Sequence, residues 1–143
     1  METRCLNEDY ARIAQEWIDS DPLFTDIANS HATIVYLSSD KAKKGKDKII
    51  HAECEKIADK NKWAIPCDFT ITVYEPNVAT FTDEQMRILI FHELLHVGIK
   101  FTDDGQESYF VRPHDIEDFR YIINKYGMDW NIPEWSEVDD YEK

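Results

Sequence analysis

The segment 81–98 constrains this chain most, because it predicts one long helix that must be buried on nearly every side. Thr82 is a favourable N-cap residue, and Gln85 follows it at the spacing of a capping box. Gly98 is placed to end the helix as the first residue beyond it. Apolar side chains cover most of the circumference between these signals: Ile88, Leu89, Ile90, Phe91, Leu94, Leu95 and Val97. The sequence therefore predicts a buried helix over about 83–97.

The polar residues in the last two turns of this helix are His92, Glu93 and His96. Residues four positions apart lie on one helix face, so both imidazoles can reach a single metal ion. This spacing is the HExxH arrangement of zinc peptidases. The alternative is a pair of core histidines that hydrogen-bond to main-chain carbonyls. Buried polar groups require partners, and a metal ion would supply one.

Each residue type in this motif has a chemical reason. Neutral imidazole is a strong zinc ligand, and zinc lowers the pKa of its water from about 15.7 towards about 7. A carboxylate that does not bind the ion can take a proton from this water and pass it to the leaving amine. The motif thus predicts His92 and His96 as ligands and Glu93 as the general acid and base. The same ligands also suit other divalent ions.

A zinc site of this kind needs a third protein ligand, and His114 is the histidine downstream of the motif. It stands at the start of a second predicted helix, which carries an apolar stripe and ends at Gly127. The intervening segment 99–112 predicts a short hairpin, which could return His114 to the metal. Glu117 and Asp118, about one turn further on, could ligate instead or orient a ligand.

The remaining patterns predict a small α+β fold. Helical spacing of apolar residues predicts an amphipathic helix over 8–19. β-Rich runs at 32–37 and 49–55 predict the arms of a hairpin around a lysine-rich turn, although the second run could also begin a helix. Alternation over 68–74 predicts a strand. We therefore expect a small, mostly antiparallel sheet packed on the HExxH helix, followed by the hairpin and the second helix.

The length of 143 residues predicts a single domain, 1–143, with a core over about 8–127. Residues 128–143 form an acidic, tryptophan-containing tail. No segment has the apolar length of a membrane helix, and the amino terminus lacks the pattern of a signal peptide. The cysteines are odd in number and show no CxxC spacing, which predicts reduced thiols in a cytoplasmic protein: Cys5, Cys54 and Cys67.

The formal net charge of −13 disfavours binding to nucleic acids, because an acidic protein is repelled by phosphate backbones. The one basic run, Lys41 to Lys48, is short and predicts a solvated hairpin loop. We therefore expect neither a nucleic-acid partner nor a membrane partner.

Other polar side chains have less specific patterns. His31 and His51 are expected to be structural or exposed, as most histidines are. Tyr109, Arg112 and Tyr126 could stabilise an oxyanion, but their spacing does not specify where they point, which favours packing or salt bridging.

The motif and its surroundings resemble the putative phage metallopeptidase family. The resemblance rests on the stretch from His92 to Gly98 followed by 112–119, and extends back through 67–74 and 81–85. It covers about residues 32–127. The family is similar to the SprT-like and minigluzincin peptidases, which implies a compact zincin-like fold and a substrate held at a sheet edge. The resemblance also implies three zinc ligands and a catalytic acid/base: His92, His96 and His114 with Glu93.

Motif and resemblance together predict a zinc-dependent metallopeptidase, phage- or prophage-encoded, which acts on protein or peptide substrates in a bacterial cytoplasm. One alternative is a metal-stabilised protein-binding module, an anti-host or anti-defence factor with a vestigial zincin site. Another is a different zinc hydrolase, such as an amidase, which would use the same ligands.

Overall fold

The predicted α+β class is confirmed by the computed structural model, which describes residues 1–113. The α-helices are α1 (Glu8–Ser20), α2 (Thr25–Ala28) and α3 (Asp83–Leu95), and single 3-10 turns occur at Pro22–Phe24, Asp59–Asn61 and Glu75–Val78. The strands are β1 (Arg4–Leu6), β2 (Ile34–Ser39), β3 (Lys44–Gly45), β4 (Lys48–Ile49), β5 (Ala52–Lys56), β6 (Phe69–Tyr74), β7 (Val97–Phe101) and β8 (Glu107–Val111). Within residues 1–113, no helix is long and apolar enough to cross a membrane.

The main sheet has the strand order β1-β2-β6-β5. Its β2–β6 ladder is parallel and the other two ladders are antiparallel, so the sheet is mostly antiparallel as predicted. All six residues of β6 are buried. A strand that is buried on both faces also has its main-chain N–H and C=O groups shielded from water. These groups need hydrogen-bond partners along both edges of the strand, which a central position in the sheet supplies.

The predicted hairpin between the runs 32–37 and 49–55 is wrong, although both runs contain strands. Strand β6 lies between β2 and β5, and the lysine-rich segment forms its own small hairpin from β3 and β4. In the observed register Ala52 lies opposite Val73, and Cys54 lies opposite Ile71. This pairing places the two small side chains of β5 on the apolar face of the sheet. Strand β1 was not predicted, because its three exposed residues have no periodicity.

The hydrophobic core lies between this sheet and the helices α1 and α3. Phe91 of α3 is fully buried and makes edge contacts with two aromatic rings, those of Trp17 at 4.7 Å and Phe24 at 5.1 Å between centroids. Such pairs add to the free energy gained from burial alone. These contacts hold the HExxH helix in the hydrophobic core.

Replacing Phe91 by alanine should lower the free energy of unfolding by about 3–5 kcal/mol, because it removes a buried ring and leaves a cavity. Urea unfolding followed by circular dichroism measures this change. Phe101→Ala is the matched control, since Phe101 is 42 % exposed and should cost clearly less. Equal losses for the two variants would contradict the assigned core.

Helix α3 begins as predicted but ends earlier. The Thr82 side chain accepts a hydrogen bond from the Gln85 main chain, and the Gln85 side chain accepts one from the Thr82 N–H, which completes the capping box. The helix ends at Leu95 rather than at about residue 97. The prediction that Gly98 is its C′ residue is therefore wrong.

Gly98 instead lies in β7, opposite Phe110 of β8. A Cβ atom at this position would stand 2.4 Å from the Phe110 ring and clash with it. Only glycine therefore allows the ring to pack against the backbone at this position. The hairpin itself is confirmed, with Gly105 at a φ of 86° in its turn. It packs beside β5 without forming a ladder with it.

Asp68 joins the start of β6 to the start of β2. Its carboxylate accepts hydrogen bonds from the Thr33 N–H and from Lys62 Nζ, both at 2.8 Å. Burial raises the pKa of Asp68, but the interactions with Lys62 and Thr33 outweigh it and hold the pKa below its usual value. The charged form of Asp68 therefore stabilises the folded state.

Asp68→Asn should lower the free energy of unfolding at pH 7 by about 1.5–3 kcal/mol, the range for hydrogen bonds to charged groups. Because the folded-state pKa is depressed, the contribution of Asp68 is present above the unfolded-state pKa and is lost as pH falls through the folded-state value. Urea unfolding at pH 7 and near pH 3 should thus show a smaller deficit in acid. Asp59→Asn is the control, because Asp59 also pairs with Lys62 but its side chain is 92 % exposed. A deficit of the same size at both pH values would contradict this account.

Candidate metal centre

Three side chains that can ligate a metal meet at the carboxyl end of α3. One ligand atom from each of His92, Glu93 and His96 lies within 4.8 Å of the others. The two imidazole centroids are 5.2 Å apart, as expected for positions one helical turn apart on the same face. Glu93 is 4 % and His92 8 % exposed, and His96 is partly exposed. The cluster is therefore largely buried, and His96 is the most exposed of the three side chains.

The hairpin that follows α3 fixes the orientation of His96. The Nδ1 atom of this residue lies 2.6 Å from the main-chain oxygen of Arg112. A carbonyl oxygen can only accept a hydrogen bond, so Nδ1 is the donor and carries the proton in this contact. In a neutral imidazole this leaves the lone pair on Nε2, the form that binds a metal.

Strand β5 packs against α3, and Cys54 of this strand and His51 just before it lie near the cluster. Burial lowers the pKa of His51, and the nearby His92 lowers it further. Burial has the opposite effect on the Cys54 thiol, whose charged form is an anion: it raises the pKa of Cys54, and the nearby Glu93 raises it further. The His51 ring also packs on Phe81, with centroids 5.1 Å apart. No local spacing links His51 to the motif, because pairing with the end of β6 brings this residue there.

The residues present fit zinc. Imidazole nitrogens and carboxylate oxygens are ligands that zinc accepts, and a buried apolar setting strengthens their interaction with the ion. Within residues 1–113 the cluster offers two histidines and one carboxylate. The predicted third ligand, His114, and its substitutes Glu117 and Asp118 lie outside the described residues.

The other polar candidates make structural contacts. The Tyr109 hydroxyl donates to Glu107 at 2.7 Å, and its ring packs on Phe69. The Arg112 side chain donates to the main-chain oxygen of Leu95 at 2.8 Å. The His31 side chain is 95 % exposed and contacts Glu107. These contacts agree with the packing roles that the sequence favoured, and Tyr126 lies outside the described residues.

Comparison with known proteins identifies one family. Its sequence model, described as putative phage metallopeptidase, matches residues 4–139, a range that includes the HExxH motif and His114. Searches of curated proteins and of solved structures returned no significant match.

Proposed function

The chain belongs to the putative phage metallopeptidase family, and from this membership and its metal centre we propose that it is a zinc-dependent peptidase. The observation that carries the proposal is the convergence of His92, Glu93 and His96 within 4.8 Å at the end of a buried helix. A purely structural metal site has no need of a carboxylate beside its ligands, whereas a hydrolytic site needs a base.

In this proposal His92, His96 and His114 hold the ion. Support for His114 comes from the path of the chain: Arg112 contacts His96 directly, and residue 114 follows two positions later. Two residues span at most about 7 Å, so the chain is long enough for His114 to serve as a ligand of the same ion. Glu117 and Asp118 are the substitutes if His114 does not ligate.

When bound, zinc would polarise the scissile carbonyl and make water acidic enough to lose a proton near neutral pH. Glu93 would accept that proton and then donate it to the amine of the departing peptide. Its burial beside the two histidines keeps competing solvent away from the carboxylate. The residues thus divide the work between holding the ion and transferring the proton.

We further propose that β5 holds the substrate. It is an outer strand of the main sheet, it packs against α3, and it forms its ladder with β6 alone among the described strands. Its middle residue, Cys54, is near Glu93. An extended peptide added along the other edge of β5, which has no ladder partner within residues 1–113, would bring its carbonyl groups past the metal centre.

The reaction would take place in the cytoplasm of a bacterial host. The phage family supports this site of action, and so do the three free cysteines, which suit a reducing compartment: Cys5, Cys54 and Cys67. The net charge of −13 favours a protein or peptide substrate over a nucleic acid.

The first test is the metal content of protein purified without an affinity tag or added metal. Elemental analysis should find close to one zinc per chain, and a chelator should remove both the zinc and the hydrolysis of a peptide library followed by mass spectrometry. Adding zinc back should restore both. Protein that binds no metal after zinc addition and dialysis would overturn the proposal.

A further inference from the structure

We propose that Arg112 is the positioning residue of this metal centre, holding His96 in the orientation and tautomer that present Nε2 to the ion. The inference rests on the proposed zinc site and extends it to a residue outside the motif. Three hydrogen bonds join Arg112 to the end of α3.

The first two contacts are made by the main chain of Arg112. Its N–H donates to the His96 carbonyl at 2.7 Å, and its own carbonyl accepts from His96 Nδ1 at 2.6 Å. Val97 pairs with Val111 in the β7–β8 ladder, so His96 and Arg112 are the next pair in the same register. His96 therefore closes the helix and at the same time continues the hairpin.

The third contact is made by the side chain. Nη1 of Arg112 donates to the Leu95 carbonyl at 2.8 Å. The last carbonyls of a helix have no partner within the helix and carry its negative dipole end, so a guanidinium there is favourable. Because the side chain is bound to Leu95, the main chain of the same residue is held against His96.

The residue after Arg112 restricts it further. Pro113 limits the preceding residue to extended conformations, which narrows the directions that the Arg112 carbonyl can take. Proline also lacks an N–H, so the ladder cannot continue beyond this point. Arg112 and Pro113 thus end the hairpin, and the Arg112 carbonyl is directed at the His96 imidazole.

This arrangement has a chemical consequence for the ligand. An imidazole that donates from Nδ1 to a carbonyl keeps Nε2 unprotonated and is more basic as a ligand. A side chain that does not reach Leu95 would hold the Arg112 carbonyl less firmly against Nδ1 of His96, which weakens the preference for the Nδ1–H tautomer. Lysine is an incomplete substitute, because it lacks the planar guanidinium and its directed donors.

The experiment compares Arg112→Ala and Arg112→Lys with the wild type. Zinc affinity is measured by competition with a chromophoric chelator, and the His96 tautomer by ¹⁵N NMR of the metal-free protein. We expect a loss of affinity of about 10-fold for Arg112→Ala, the low end of the range for loss of an outer partner, because the carbonyl is kept but held less firmly, and a smaller loss for Arg112→Lys. The Nδ1–H form should dominate in the wild type and be mixed with the other tautomer in Arg112→Ala.

Arg87→Ala is the matched control, because Arg87 is an arginine of α3 whose side chain pairs with Glu16 and stacks on Trp17. Arg87→Ala should leave the zinc affinity and the His96 tautomer unchanged.

If Arg112→Ala does not fold, Pro113→Ala replaces it. Pro113→Ala loosens the main chain at Arg112 while keeping the guanidinium, and the same mixture of His96 tautomers is expected. A folded variant with wild-type affinity and tautomer would overturn the proposal. The NMR measurement needs no metal, so it tests Arg112 even if the proposed peptidase activity fails.

Discussion

Replacing Glu93 by glutamine is expected to lower peptide hydrolysis by about 10³-fold, within the range for loss of a general acid/base. Glutamine has nearly the same size and remains buried, but it cannot accept the proton from water. The variant should therefore keep its zinc and its free energy of unfolding. Hydrolysis of a peptide library, zinc content by elemental analysis and urea unfolding measure the three quantities on the same sample.

Glu84→Gln is the control for this prediction. Glu84 lies in the first turn of the same helix and is exposed, so its loss removes one carboxylate without touching the metal centre. Wild-type hydrolysis by Glu93→Gln would remove Glu93 from the proposed mechanism. Stable capture of a host protein that the wild type does not cleave would instead favour the protein-binding module.

Replacing His92 by alanine is expected to weaken zinc binding by more than about 100-fold, since that is the upper range for losing only an outer partner of a ligand. Removing a ligand also leaves too few protein ligands for a tetrahedral site. Competition with a chelator measures the affinity, and His31→Ala is the control, because His31 is a surface histidine far more exposed than His92. Zinc bound by His92→Ala as tightly as by the wild type would exclude His92 as a ligand.

The same assay identifies the third ligand. His114→Ala should lose affinity to a similar extent as His92→Ala, whereas Glu117→Ala and Asp118→Ala should retain most of it. If His114→Ala retains zinc and Glu117→Ala loses it, the ligand set becomes two histidines and a carboxylate. That result would change the coordination without changing the proposed role of Glu93.

The metal centre lies where a helix and a hairpin meet, and both elements affect it. Helix α3 brings His92, Glu93 and His96 together, and the packing of Phe91 holds that helix in the core. The hairpin then sets the direction of one imidazole through Arg112. Variants in the hairpin register should thus affect zinc affinity even though they replace no proposed ligand.

The sequence by itself determined the local features of this protein. The capping box at Thr82, the i, i+4 spacing of the histidines, the strand Phe69–Tyr74 and the β7–β8 hairpin all depend on residues close together in the chain. Their signals are periodicity, caps and turns, which involve few residues at short separation. The α+β class followed from the same patterns.

Only the tertiary structure decided which distant segments lie side by side. The position of β6 between β2 and β5, the contact of Arg112 with His96 and the approach of β5 to the motif join residues far apart in sequence. The early end of α3 has the same origin, because hairpin pairing from Val97 onward competes with another turn of helix and prevails. Long-range pairing of this kind buries apolar side chains that no local pattern can assign to a partner.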